Sequence, residues 1–184
     1  MRIDTVQTSH TGLIDVGKYS CFVNFKKDGS DLTVDTLIDY LKGHSHLVMT
    51  GDVISFKDEF KDIIKKIIKT YPYMTFDIVT DGTEKFVFLN YDYGTIMFYV
   101  YVGTDLKKDV LEWYNLTGAK FIFNVDGVDE VDSKIILMNE YSLDKKRCYI
   151  TTTNGETLND IMFYCLSKGL NCCPNFREMM WGEL

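Results

Sequence analysis

The apolar residues of this chain fall into short, nearly continuous runs that are separated by stretches of mixed polarity. Runs of this kind are typical of β-strands that are covered on both faces, as in a parallel sheet. They predict strands over residues 3–8, 19–25, 46–50, 73–80, 86–90, 95–102, 120–124 and 148–152.

Between these runs the apolar residues recur at helical spacing. A first helix is predicted behind the N-cap residue Thr33, and a second one behind Ser55. A third is predicted from Thr104 to about Asn115, and a fourth ends at Lys168-Gly169, where glycine follows the last turn. The fourth helix carries on one face Leu158, Ile161, Met162, Cys165 and Leu166.

Strands that alternate with helices predict an α/β fold with a partly or mostly parallel sheet. The runs at 86–90 and 95–102, which are joined by Tyr91-Asp92-Tyr93-Gly94, predict an inserted hairpin instead. Because the sequence has no internal repeat, low-complexity tract or break in composition, we expect residues 1–184 to form a single domain.

The composition is that of an ordinary globular protein, with 46% hydrophobic and 26% charged residues. The net charge of −7 argues against binding to nucleic acid or to an anionic membrane surface, but it leaves a basic protein partner open. No stretch approaches the roughly 18 apolar residues of a membrane span, and the first residues, MRIDTVQTSH, lack the apolar core of a signal peptide. Five cysteines without a CxxC spacing favour a reduced, cytoplasmic setting, which would be the host cytoplasm for a viral protein.

The stretch HLVMTGDVIS, residues 46–55, reads as a buried strand that runs into a turn at Thr50-Gly51-Asp52 and then opens a helix. In α/β proteins the ligand usually binds at a turn of this kind, where a strand reaches its carboxyl end. This turn is therefore the first candidate site.

Six segments follow one another along the chain as ordered landmarks: GKYSCFVNF (17–25), LTVDTLIDYL (32–41), HLVMTGD (46–52), FDIVTDGT (76–83), AKFIFNVD (119–126) and GLNCCPNFREMMWG (169–182). In this order they resemble the 7-carboxy-7-deazaguanine synthase family of small radical S-adenosylmethionine (SAM) enzymes. The resemblance covers almost the whole length and implies a single-domain, open partial (β/α) barrel.

The chain departs from this family where the cofactors would bind. Family members hold a 4Fe–4S cluster on three cysteines in the loop after the second strand, so that one iron stays open for SAM. Here the loop after Phe25 reads KKDGSD and has no cysteine, while Cys21 lies inside the strand. The family turn Gly-Gly-Glu-Pro, which binds the amino group of SAM, is replaced by Gly51-Asp52-Val53-Ile54. The resemblance therefore implies that the cluster and the SAM site are lost, and we expect no cofactor.

Substrate-binding positions have also changed. Asn24 replaces the family's strand arginine, Val79 replaces a glutamate, and Arg177 replaces the histidine of the closing motif. Thr80 and Gly82 match the family, which we interpret as maintenance of the fold. The remnant ligand site would consist of Thr50, Gly51, Asp52, Thr80, Asp81, Gly82 and Arg177.

Other chemistry in the sequence is weak. His44 and His46 lack a third metal ligand, so no metal site is expected. The run DGVDEVD, residues 126–132, lacks the ligand order of an EF-hand and is interpreted as a solvated loop. The lysines from Lys57 to Lys69 form the solvated face of the second helix.

These observations leave three hypotheses. The first is a non-catalytic, radical-SAM-like pseudoenzyme that binds a protein partner, for example a phage inhibitor of a host protein. The second is a protein that binds a purine-, pterin- or nucleotide-like molecule at Thr50, Asp52, Thr80 and Asp81. The third, ranked last, is an enzyme of unrelated mechanism that uses His10, Asp52 and Asp81 as acid and base groups. A homodimer is left open.

Overall fold

A computed structural model describes residues 2–11, 16–26, 30–31, 33–53, 57–87, 96–103 and 107–173. The strands are β1 (Arg2–Thr11), β2 (Val16–Phe25), β3 (Ser30–Asp31), β4 (His46–Gly51), β5 (Thr75–Thr80), β6 (Ile96–Tyr101), β7 (Lys120–Asn124), β8 (Cys148–Thr151) and β9 (Asn171–Cys172). The helices are α1 (Val34–Tyr40), α2 (Lys57–Thr70), α3 (Lys108–Leu116), α4 (Val128–Glu140) and α5 (Leu158–Ser167). None of the helices in these ranges has the length and apolar content to cross a lipid bilayer.

The chain packs into two compact units. The first contains Met1–Thr80 and Glu84–Phe98, and the second contains Asp81–Thr83 and Tyr99–Leu184. The single domain expected from the sequence stays a prediction.

In the first unit, β1 pairs antiparallel with β2 and with β3, whereas β2, β4 and β5 pair in parallel in that order. The core beside these strands is aromatic. The rings of Phe25 and Phe60 lie 4.9 Å apart between centroids, those of Phe60 and Phe86 5.7 Å, and those of Phe86 and Phe98 6.0 Å. Such spacings are those of favourable tilted and edge-to-face aromatic pairs. The four phenylalanine rings thus form one continuous aromatic cluster.

In the second unit, β6, β7, β8 and β9 pair in parallel in chain order. The middle strands are apolar, and Phe121, Phe123 and Ile150 are fully buried. Helices α4 and α5 pack against each other. Because strands alternate with helices and most pairs are parallel, the predicted α/β class is confirmed.

Local signals in the sequence account for two helix boundaries. The hydroxyl of Thr33 accepts a hydrogen bond from the Thr36 amide at 3.1 Å, which caps α1 as expected. Helix α5 ends at the predicted stop, where Gly169 adopts a φ of 67°. On α2 the side chains of Lys65, Lys66 and Lys69 are exposed, which agrees with the predicted solvated face.

One prediction is wrong, and another cannot be compared with the structure over most of its length. The run at 126–132 is not a loop, because α4 begins at Val128 with Asp129 and Glu130 in its first turn. Acidic residues stabilise the amino end of a helix, so the carboxylates that suggested a loop are a helix-start signal here. The hairpin prediction falls largely outside the described residues, and Phe86 is a buried residue that belongs to no strand.

The predicted apolar face of α5 is divided between core and surface. Ile161 and Cys165 are completely buried, whereas Met162 and Leu166 are exposed, as is the neighbouring Phe163. The sequence showed an apolar stripe but not which part of it the rest of the fold covers.

Candidate functional site

The candidate turn at the end of β4 is fastened to the neighbouring strand β2. The hydroxyl of Thr50 donates a hydrogen bond to Oδ1 of Asn24 at 3.1 Å, and these two residues are register partners in the parallel pair. Thr50 is buried, with 7% of its surface exposed. The threonine predicted as a ligand group therefore contacts the residue that stands in place of the family's arginine.

In this turn, Gly51 lies very close to the neighbouring strand β2. Its φ is 81°, and a Cβ atom added here would overlap the carbonyl oxygen of Phe25 and Oδ1 of Asn24. The amide of Asp52 donates to the same Phe25 carbonyl at 2.7 Å. The left-handed φ of Gly51 and the space that β2 occupies beside it together explain why a glycine is required, without a ligand. Asp52 places its side chain at an exposed position.

The next candidate turn follows β5. Thr80, the last residue of β5, is buried. In the second unit, Oδ1 of Asp81 accepts hydrogen bonds from the amide of Thr83 at 3.0 Å and from its hydroxyl at 2.8 Å. Gly82 has a φ of 71°, and an added Cβ would lie 2.7 Å from Cγ1 of Val100. The aspartate thus closes an Asx turn, and the glycine permits close packing.

A shallow pocket of about 360 Å³ lies beside this second turn, entirely within the second unit. Asp81, Thr83, Tyr101 and Asn124 supply its polar groups, and Val102, Gly103 and Ile122 complete the wall. Tyr101 and Asn124 are the last residues of β6 and β7. These two residues are not among those predicted from the sequence, although the rule that ligands bind at the carboxyl ends of strands identifies both.

The predicted site residues are therefore divided between the two units. Thr50, Gly51, Asp52 and Thr80 belong to the first unit, and Asp81 and Gly82 to the second. Arg177 lies outside the described residues. The side chain of His10, an acid–base candidate, also lies outside the description, although its backbone belongs to β1.

The cysteines do not fit a cluster held on a single loop. The sequence has no cysteine between Cys21 and Cys148, and both of these are buried strand residues. Burial raises the pKa of Cys21 to about 11 and, with Asp144 nearby, that of Cys148 to about 12. Cluster iron is held by several cysteines that converge on one site, whereas these two are far apart in the sequence and lie on different strands.

The remaining cysteines lie in the second unit, where Cys165 and Cys172 share a hydrogen bond that lowers the pKa of Cys165 and raises that of Cys172. Among the residues that the structure describes, no group of three His, Cys, Asp or Glu side chains is arranged to hold a metal ion. The expected absence of a cofactor stays a prediction.

Sequence reasoning missed a buried polar cluster in the first unit. Oγ of Ser20 lies 2.6 Å from Nδ1 of His46, and Nε2 of His46 lies 3.0 Å from Oδ2 of Asp77. The second contact is short but lacks the directional geometry of a hydrogen bond.

A serine, a histidine and an aspartate in successive contact suggest a nucleophile and its base. The burial of this cluster argues against that role. The three residues are 0%, 1% and 5% exposed, which leaves no access for a substrate. His46 is the first residue of β4, so the cluster lies at the opposite end of this strand from the Thr50–Asp52 turn. We assign it to stability.

Strands that alternate with helices, with mostly parallel pairing, define an α/β protein. The structure is similar to the crystal structure of QueE from Escherichia coli, a 7-carboxy-7-deazaguanine synthase, with a TM-score of 0.61. The match covers 94% of this chain and 92% of that chain at 12% sequence identity. At this identity the likeness shows the fold alone, and it confirms the expected radical-SAM-type α/β fold. No protein-family model and no curated protein sequence matches the chain.

Proposed function

We propose that this protein is a non-catalytic member of the radical-SAM-like fold that acts by binding another protein. The observation that carries the proposal is the turn at Thr50-Gly51-Asp52. Its threonine hydroxyl, its glycine surface and its aspartate amide all contact β2, through Asn24 and Phe25. Groups that would serve a cofactor in a turn of this kind serve the fold instead.

The cysteines support the same proposal. A cluster that opens one iron to SAM needs three thiolates on one loop, and the sequence offers no cysteine after Cys21 until Cys148. The residues that would hold the iron–sulfur cluster and SAM are both missing from the sequence. We therefore expect the function to depend on the surface of the molecule.

The surface suits a protein partner. The chain has a net charge of −7, and several large apolar side chains are strongly exposed, among them Tyr73, Leu116, Phe163 and Leu166. Apolar and aromatic anchors of this kind are enriched in the centres of protein interfaces. A small inhibitor, such as a phage protein directed at a host protein, is one form that this function would take.

The proposal is tested by two assays on the same full-length preparation. Immobilised protein is used to capture partners, which are identified by mass spectrometry and then re-tested as purified proteins, and SAM is titrated by calorimetry. We expect saturable binding of a purified partner and no heat with SAM. Saturable SAM binding would overturn the proposal.

The pocket beside Asp81 favours a second candidate function. Its volume of about 360 Å³ lies within the range of small-molecule sites, and Asp81 and Asn124 offer hydrogen-bonding groups to a purine- or pterin-like ring. Such a ligand must raise the melting temperature, because it binds only the folded state. A screen of these compounds in which none stabilises the protein would reject this candidate.

A further inference from the structure

Two thiols of the second unit lie in contact with each other. Cys165 belongs to helix α5 and Cys172 to strand β9, and their side chains share a hydrogen bond. Cys165 is completely buried, whereas Cys172 is half-buried, and both are free thiols. A disulfide forms from this arrangement with only a small movement of the two sulfur atoms, because its S–S bond is about 2 Å long.

The backbone holds each cysteine of this pair in place. At the end of α5, the amide of Leu170 donates a hydrogen bond to the carbonyl of Cys165 at 2.9 Å, so the chain turns back over this residue. Cys172 is the register partner of Ile150 on β8. The amide of Cys173, the next residue, donates to the carbonyl of Ile150 at 2.9 Å. The two thiols therefore meet because α5 packs against β9.

The side chain of Asn171 anchors β9 further. Its Nδ2 atom lies within hydrogen-bond distance of the carbonyl oxygens of Lys145, Lys146 and Cys148, at 3.3, 3.1 and 3.0 Å. Because Asn171 directly precedes Cys172, these contacts limit the positions that the Cys172 sulfur can reach. We therefore expect the folded chain to keep the two thiols together far more than the unfolded chain does.

The hydrogen bond between the thiols also favours their reaction. A thiolate in this pair is stabilised by the S–H group that remains, which lowers the pKa of Cys165 and raises that of Cys172. The first proton therefore leaves the pair more easily, and the second one less easily. By contrast, burial raises the pKa of Cys21 to about 11 and, with Asp144 nearby, that of Cys148 to about 12. Thiolate is the reactive form in disulfide exchange, so the pair is better placed to react than these two cysteines.

We propose that Cys165 and Cys172 are a redox site, which forms a reversible disulfide by exchange with a low-molecular-weight disulfide such as glutathione disulfide. The inference does not depend on the proposed protein-binding function. A disulfide here would join β9 to α5 and close residues 166–171 into a loop. Because loop closure lowers the entropy of the unfolded chain, we expect the oxidised protein to be more stable than the reduced one.

The reaction has two steps, which balance in atoms and electrons. One proton leaves the pair, and the sulfur of Cys172, which is the less buried residue, attacks one sulfur of the reagent. A mixed disulfide forms, and the first reagent thiolate is released. Cys165 then loses its proton, and its sulfur attacks the sulfur of Cys172 and releases the second thiolate. The two protons end on the two released thiols, and the reagent gains the two electrons that the protein loses.

The test equilibrates the full chain with mixtures of reduced and oxidised glutathione. Free thiols are then blocked in denaturant, and the linked peptides are identified by mass spectrometry. The wild type is compared with Cys172→Ser and with Cys173→Ser, which is the matched control because Cys173 is adjacent and also half-buried. We expect a bond between Cys165 and Cys172 in the wild type and in the control but not in Cys172→Ser, and we expect dithiothreitol to reverse it.

A second measurement uses the wild type alone, so it remains decisive if a variant folds poorly. The equilibrium constant for forming the bond from glutathione disulfide is determined in the folded protein and again in denaturant. We expect it to be at least about tenfold larger in the folded protein, since the fold holds the two thiols together. The urea midpoint of the wild type should rise on oxidation by the same linkage, and that of Cys172→Ser should not.

Three results would overturn the redox site. The first is a folded wild type that forms no bond between Cys165 and Cys172. The second is a product in which Cys172 is joined to Cys173 or remains joined to glutathione. The third is an equilibrium constant that is the same in the folded and the denatured chain, because the fold would then contribute nothing to the pairing.

Discussion

The hydroxyl of Thr50 donates a hydrogen bond to Oδ1 of Asn24 at 3.1 Å, and this bond ties the carboxyl end of β4 to β2. Asn24 stands where the resembling family has an arginine, and its side chain also lies against Gly51. The side chain of Asn24 is therefore part of the contact between β2 and β4. The turn is consequently expected to matter for stability rather than for binding.

Replacing Gly51 with alanine should destabilise the protein by about 3–4 kcal/mol, since the new Cβ suffers both a left-handed backbone and an overlap with Phe25 and Asn24. Gly43→Ala is the matched control, because Gly43 has a φ of 84° but no atom within 4 Å of an added Cβ. Strain alone should cost the control about 1–2 kcal/mol. Urea unfolding measures both values, and equal losses would show that the close approach at Gly51 is unimportant.

The hydrogen bond between Asn24 and Thr50 should appear as a coupling free energy. In a double-mutant cycle of Asn24→Ala and Thr50→Val, we expect the two losses of stability to be non-additive by about 0.5–1.5 kcal/mol. The measurement is the free energy of unfolding of the wild type, both single variants and the double variant. Strict additivity would mean that the bond contributes nothing.

The contact of His46 with Asp77 should contribute far more than an exposed ion pair. Asp77→Ala leaves a buried imidazole without its acidic neighbour, and we expect a loss of about 2–4 kcal/mol. The control is Asp35→Ala, which removes an exposed contact of 2.6 Å with Lys66 and should cost less than about 1 kcal/mol. Thermal unfolding at matched pH compares the two, and a greater loss in the control would contradict the structure.

The buried thiols of Cys21 and Cys148 should resist modification in the folded protein. At pH 8 a thiol reagent that attacks thiolates should label them only after denaturation, because burial raises their pKa values to about 11 and about 12. Peptide mapping after native and denaturing labelling identifies the modified cysteines. Rapid native labelling of either residue would contradict its burial.

The same pKa shifts fix the sign of a stability change in alkali. The ordinary pKa of these thiols is 9.0, so below this pH they are mostly protonated in both the folded and the unfolded protein. As the pH rises from 9 towards 11, the unfolded thiols release protons before the folded ones, so the free energy of unfolding falls. The variant Cys21→Ala should show a shallower fall over this interval than the wild type.

Most of the helix ends that were predicted correctly from the sequence depend on local signals. Thr33 caps the start of α1, and Gly169 follows the end of α5. Both act through contacts within a few residues, so their spacing in the sequence is enough to reveal them. Helix α4 was missed because its first carboxylates resembled a solvated loop, although Val128, Val131 and Met138 lie at helical spacing.

The residues of the buried polar cluster and of the pocket come together through contacts between distant parts of the chain. Spacing along the sequence does not reveal such contacts. Ser20, His46 and Asp77 come from three strands and meet only through their parallel register. The same holds for Asn124, the last residue of β7, which lines one pocket with Asp81 from the turn after β5. Exposure of Leu166 beside buried Cys165 likewise depends on which face of α5 the fold covers.

The central claim is that this fold works without the cofactors of the enzymes it resembles. Anaerobic reconstitution of the full chain with iron and sulfide, followed by iron analysis and titration with SAM, tests it most directly. We predict a colourless protein with background iron and no saturable SAM binding. Stoichiometric iron and sulfide with the visible absorption of an iron–sulfur cluster, together with saturable SAM binding, would contradict the account.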